Sequence, residues 1–166
     1  MGQDPMINGF PERRKQTGVT MIELMIGIVV LSIIAVFAVP SFQAASANAA
    51  LRSTTMDLVT AINTARAGAV NLRVPVQLVP TDGADWSQGW SLVHGAGQAT
   101  EDRDFTAKPG VTVTEDNGLV LIEFRANGTV NVESDFTICD GRAGERGRSL
   151  SLNRVGRMTN VEVVCP

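Results

Sequence analysis

Twenty-one consecutive residues, from Val19 to Val39, read VTMIELMIGIVVLSIIAVFAV and carry one charge, Glu23. A helix of that length spans about 30 Å, the thickness of a bilayer's hydrocarbon core. Arg13, Arg14 and Lys15 precede the run closely. Positive charge stays on the cytoplasmic side of a span, so the bulk of the chain, which follows the run, is expected outside the cytoplasm. A cleaved secretory signal is the plain alternative, and Ala45-Ser46-Ala47 would serve as its cleavage site. Glu23 argues against it. A carboxylate in an apolar run costs about 2.5 kcal/mol or more at the helix centre and less near an interface. A disposable signal has no use for it, so the acid reads as functional.

Export sets the redox environment for the two cysteines, Cys139 and Cys165. Outside the cytoplasm a disulfide between them is the expected state. Two cysteines and a single histidine, His94, are too few for a closed zinc site. The acidic residues Asp82, Asp85, Glu101, Asp102 and Asp104 follow no calcium-loop order and read as solvated surface. Gly141, Gly144 and Gly147 match no phosphate loop and read as a flexible turn. No constellation of nucleophile, base and orienting group emerges, so neither an enzyme nor a cofactor is expected.

After Pro40 the pattern becomes amphipathic. Leu51, Leu58, Ile62, Ala65, Ala69 and Leu72 fall on one helical face, while Arg52, Asp57, Asn63 and Arg66 lie off it. One helix is therefore expected over residues 20–72, kinked at Pro40, which lacks an N–H, and ended by Val74-Pro75. Beyond it the period falls to two. Strands are expected around Val74–Leu78, Trp90–His94, Val111–Val113, Leu119–Phe124, Thr129–Val132, Phe136–Cys139, Ser149–Leu152 and Val161–Val164. Asn117-Gly118 and Asn127-Gly128 carry the strongest short hairpin signal. Thr81–Gly89 and Gly95–Lys108 read as polar loops.

The segment Thr17-Gly18-Val19-Thr20-Met21-Ile22-Glu23-Leu24-Met25 resembles the leader motif of type IV pilins and type II secretion pseudopilins. In that family a prepilin peptidase cuts after a glycine and methylates the new N-terminus. The resemblance implies Gly18 as the last leader residue and Val19 as the first mature one, where the family usually has Phe. Glu23 stands at the family's glutamate position and Pro40 at its helix-kink position. The stretch Asn63–Val70 is similar to the helix end of the GspH/FimT branch. So are Phe124-Arg125-Ala126-Asn127-Gly128, Phe136–Cys139, Gly147–Leu152 and Gly156-Arg157 to the C-terminal half of FimT/FimU-type minor pilins.

The implied fold is the α+β type IV pilin fold, one long N-terminal helix packed on a C-terminal antiparallel β-sheet domain. The implied segments are a cleaved leader over 1–18, a transmembrane and filament helix over 19–72, and a globular β domain over 73–166. The expected location is the inner membrane as a single-pass protein with a periplasmic domain, then the pilus filament or tip. The expected partners are other major and minor pilins, the prepilin peptidase and the inner membrane. The leading function is a minor pilin that primes or caps a type IV pilus. The alternatives are a pilus-borne DNA receptor and a minor pseudopilin of a type II secretion system.

Charge bears on the DNA alternative. The formal net charge is −3, and residues 1–18 hold three basic and two acidic groups, so the remainder is −3 − (+1) = −4. Such a chain is no general nucleic-acid binder. Yet residues 139–166 carry Arg142, Arg146, Arg148, Arg154 and Arg157 against Asp140, Glu145 and Glu162, a local 5 − 3 = +2. In the FimT branch a C-terminal arginine-rich motif is implicated in holding DNA. Arg146-Gly147-Arg148 matches it in part, and the arginines of 142–148 are expected in a Gly-rich turn open to solvent or a ligand. With no Tyr available, contacts would be to phosphate, non-specific and salt-dependent.

The processing reading is tested by mass spectrometry of the mature protein. The expected N-terminus is a methylated Val19; a start near Asn48 would mean a plain signal peptide.

Overall fold

The computed structural model describes residues 18–95 and 103–166. The expected leader up to Thr17 lies outside the described residues, as do Glu101 and Asp102. Element order is α1 (Met21–Leu72), then β1 (Val76–Asp82), β2 (Asp85–His94), β3 (Arg103–Phe105), β4 (Val111–Glu115), β5 (Ile122–Phe124), β6 (Ser134–Asp140), β7 (Arg146–Leu152) and β8 (Met158–Val164). This is one long N-terminal helix followed by antiparallel sheets.

Two compact units divide at Pro40, which lies inside α1. In the first, the large apolar side chains from Met21 to Val39 are all solvent-facing, from 49% exposed at Val30 to 85% at Met21. A helix that is apolar all round needs an apolar surround. Among the described residues α1 alone is long and apolar enough to cross a membrane. Ser32, polar within the run, donates its hydroxyl to the Ile28 carbonyl at 2.8 Å, which satisfies that donor within the helix.

In the second unit, the remaining part of α1 packs on the sheets. Leu51, Leu58, Ala61, Ile62, Ala65 and Ala69 are buried, as the helical face requires. Leu72, expected on that face, is 36% exposed at the helix end. There the chain leaves the helix through Arg73, whose φ of 56° is the left-handed turn that closes a helix C-terminus.

The strands form two four-stranded antiparallel sheets, ordered β3-β2-β1-β5 and β4-β6-β7-β8. Val76, Leu78, Trp90, Leu92, Ile122 and Phe124 of the first meet Val111, Val113, Phe136, Ile138, Leu150 and Leu152 of the second in a single core with α1. The Trp86 ring meets Phe136 edge-on at 5.0 Å and donates its indole N–H to the Leu119 carbonyl at 2.8 Å. Ser87 spans the sheets, its hydroxyl accepting from the Val113 amide at 3.0 Å. Pro80, in β1, sits beyond the end of β5, which pairs only with Val76–Leu78. Its missing N–H therefore interrupts no ladder on that side.

Several expectations are corrected. Thr81–Gly89 is not a loop: β1 and β2 continue through it and turn only at Gly83-Ala84, because its polar residues cap a hairpin whose far side buries Trp86. Gly95–Lys108 contains β3. Asn117-Gly118 joins no adjacent strands: β4 pairs with β6, and β5 belongs to the other sheet. The buried Glu115 carboxylate organises that passage by accepting the amides of Asn117 at 3.0 Å and Leu119 at 2.6 Å. Leu119–Leu121 stays outside β5, and Thr129–Val132 makes one bridge, Phe124 to Val130, rather than a strand.

Arg66, exposed on the helix, holds the ends of two turns. Its guanidinium donates to the Gly128 carbonyl at 3.1 Å and the Val155 carbonyl at 3.2 Å. The turns approach so closely that a Cβ on Gly156 would lie 2.4 Å from the Gly128 oxygen and 2.9 Å from Arg66 Nε. Gly156 also has a φ of +75°, whereas Gly110, at +79°, has nothing within 4 Å of a Cβ. Gly110→Ala should therefore cost about 1 kcal/mol of left-handed strain. Gly156→Ala should cost about 3 kcal/mol, since the turns must also part. Urea unfolding of a fragment starting at Ser41 checks the ranking; equal costs would refute the clamp.

Candidate functional site

Two regions hold the residues singled out by sequence. The first is the start of α1. Gly18 and Val19 precede the helix and are exposed. The Glu23 amide meets the Thr20 hydroxyl at 3.2 Å, and the Glu23 carboxylate reaches back to the Thr20 amide at 3.4 Å. This is a reciprocal capping box, two side chains serving two of the orphan N–H groups at a helix start. Sequence reasoning treated Glu23 only as a charge; the T-x-x-E spacing at 20–23 was the signal for the cap. The carboxylate is thereby held one residue from Val19.

The second region is the C-terminal hairpin. Cys139 and Cys165 form a disulfide with a sequence separation of 26. It ties β6 to the chain just past β8. Gly147, expected in a flexible turn, instead lies buried in β7 against that bridge. A Cβ there would stand 2.5 Å from Cys165 Sγ, 2.9 Å from Cys139 Sγ and 2.7 Å from the Ile138 carbonyl. Its glycine is a packing requirement.

The structure separates the five candidate arginines. Arg142 lies in the β6–β7 turn, but instead of standing open to solvent or a ligand it is held by the protein itself. It grips the Asp140 carboxylate with Nε at 3.1 Å to both oxygens and reaches Asn48 Oδ1 of α1 at 2.6 Å. The guanidinium hydrogen bond holds the Asp140 carboxyl below the ordinary carboxylate range, against the opposing effect of burial. Arg146 and Arg148 are strand residues of β7, two apart and so on one face. Both meet Glu162 of β8, at 2.9 and 3.8 Å. Arg154 and Arg157 sit in the β7–β8 turn, beyond the far end of β7 and about 20 Å away along the strand. The arginines are thus three separate features, because sequence proximity is lost when a strand runs its length.

Sequence reasoning did not find Asn48, Arg52 and Glu162 beside this hairpin. Asn48, Arg52, Arg146, Gly147, Arg148 and Glu162 line one cleft between α1 and β7–β8. Arg52 is nearly a hundred residues away in sequence, so no local signal announces it.

A model of the GspH family, described as a type II transport protein, matches residues 54–156. A second model, the prokaryotic N-terminal methylation motif, matches residues 13–39. The first alone spans 103 of the 166 residues. The chain belongs to the GspH family. Its fold agrees with crystal structures of the type IV minor pilin FimU of Pseudomonas aeruginosa. One is 29% identical with a TM-score of 0.58, covering 67% of this chain and 92% of FimU. The other, in a second crystal form, is 28% identical with a TM-score of 0.56, covering 70% and 88%. The GspH family and this fold are those of structural pilin subunits rather than enzymes. Within the family's matched span lie Arg66, both clamped turns and the β6–β7 turn; Glu23 and Pro40 fall outside it, Glu23 in the methylation motif.

Gly147→Ala is expected to disturb the bridge. Exported protein should carry a measurable fraction of free thiols under non-reducing labelling, and the fully oxidised remainder should unfold at lower denaturant. The disulfide closes a loop worth roughly 3.5 kcal/mol in the chain-entropy model, so partial loss is readily seen. Complete oxidation with an unchanged midpoint would contradict the packing reading.

Proposed function

We propose that this protein is a minor pilin that primes or caps assembly of a type IV pilus. The observation that carries the reading is the likeness to FimU over 92% of that chain, in a protein whose N-terminal helix leaves its apolar residues unburied. Such a helix has two stable places: a bilayer before assembly and a bundle of like helices after it. The exported domain then stands in the periplasm and later on the filament.

On this reading the prepilin peptidase cuts between Gly18 and Val19 and leaves a charged amine on Val19. In a helical bundle that amine enters a low-dielectric core, where an unpaired charge costs several kcal/mol. Glu23 supplies the counter-charge to its own or a neighbouring chain. The capping box supports this role, because it keeps the carboxylate at the helix start rather than along its side. Pro40 gives up one helical hydrogen bond, which lets the two stretches of α1 bend where the apolar run ends.

A second reading, a minor pseudopilin of a type II secretion system, is favoured by the description of the matching family model. Deletion separates the two: loss of surface pili supports the first, loss of exoprotein release with normal pili the second. The DNA-receptor reading draws less from the geometry, since Arg142 is held by Asp140 and Arg146 and Arg148 share Glu162.

Glu23→Ala should leave the protein cleaved and in the membrane but poorly incorporated into filaments. Normal piliation and normal co-purification with other pilins in that variant would contradict the proposal.

A further inference from the structure

The cleft between α1 and the β7–β8 hairpin has two adjoining parts, about 130 and 240 Å³. Arg52 of α1 and Arg148 of β7 line both. Arg146 and Glu162 complete the first part; Asn160 and Met56 lie in the second. Three guanidinium groups thus face one carboxylate. Arg146 and Arg148 share Glu162, while the Arg52 side chain has no hydrogen-bond or ion-pair partner among the described residues. The cleft therefore holds 3 − 1 = +2.

The surrounding acids do not balance it. Asp140 is engaged by Arg142, and Asp57 by Lys108 at 3.5 Å. Glu145 is exposed on the adjoining β6–β7 turn. Guanidinium does not deprotonate, so the cleft keeps its positive charge; Arg52 and Arg146 are exposed and hydrated, and a bound oxyanion would replace that water with a direct ion pair. Its planar fork suits an oxyanion with two oxygens.

We infer that this cleft receives an acidic side chain of a neighbouring pilin, which pairs with Arg52 beside the resident Arg146–Glu162–Arg148 group. The inference rests on the reading of the chain as a pilin subunit. Shape and charge favour a side chain over nucleic acid. The first part of the cleft has room for a carboxylate on its stem, and Arg148 is set back with 33% of its side chain exposed. A duplex presents one negative charge per about 1.7 Å and would meet Glu162 and an acidic domain along most of its length. A single carboxylate meets only the local +2. Glu162 competes for the same arginines, so it sets how tightly the incoming acid is held.

The test uses the full-length chain expressed with its partner pilins and extracted in mild detergent. Arg52→Gln should leave cleavage and the unfolding midpoint unchanged yet lower recovery of partner pilins roughly five- to tenfold at about 0.15 M salt. Glu162→Gln should raise recovery, because the competitor is gone while the three arginines remain. A cluster that serves only the fold would give the opposite: Glu162→Gln would lower the midpoint and improve nothing. Unchanged recovery in Arg52→Gln from low to high salt overturns the inference. So does an Arg52→Gln variant that keeps its pilin partners but loses a gel shift of duplex DNA, which would make nucleic acid the occupant. If the wild-type chain itself recovers no pilin, the pilin reading falls and this inference with it.

Discussion

The domain depends on the stripe of α1 made by Leu58, Ala61, Ile62, Ala65 and Ala69, which is almost wholly sealed from solvent. Neither sheet buries its inner face alone, and the helix stripe supplies the third surface. The mixture of sizes matters. Leu58 and Ile62 are large and Ala61, Ala65 and Ala69 small, and all five belong to the one core shared with both sheets. At roughly 25 cal/mol per Å² this burial is the main favourable term available to a domain of this size. Enlarging one alanine would push the sheets apart; truncating Leu58 would leave a cavity between them.

Everything polar in the domain is arranged on that framework. The last half of the chain supplies most of the buried apolar residues, and its turns are held by specific polar and covalent devices. Arg66 gathers two turns by their carbonyls. Glu115 organises the passage between the sheets with its carboxylate. The disulfide fastens the chain after β8 to β6. The Arg66 clamp and the disulfide each demand a glycine where backbone or sulfur comes close, at 156 and 147. The same framework carries Asn48 and Arg52 to the side of β7, so a helix position and a strand pair become one charged cleft.

The N-terminal part of α1 obeys a different constraint. It has no core to join within the described chain, and its one carboxylate is spent on capping its own helix. A residue that stabilises a helix start is also the residue best placed to meet an amine there. The two roles are compatible because both need the carboxylate at the helix's positive end.

The sequence by itself determined the apolar span, its single acid, the helix that continues past Pro40 and the strand-rich remainder. Those features are written in local periodicity, and the helical face from Leu51 to Ala69 is buried as its spacing requires. The family was legible for the same reason, since the residues around Gly18 and Glu23 form one contiguous motif. The pairing of strands was not. Asn117-Gly118 has the composition of a hairpin but leads from one sheet to the other, because partner choice is settled by which faces complete the core. The five arginines looked like one basic patch by proximity in sequence. Only the register of β7 on β8 set Arg146 and Arg148 on Glu162 and carried Arg154 and Arg157 to the far end. Only the packing of α1 added Arg52, for charge acts across space and a linear chain records distance along itself alone.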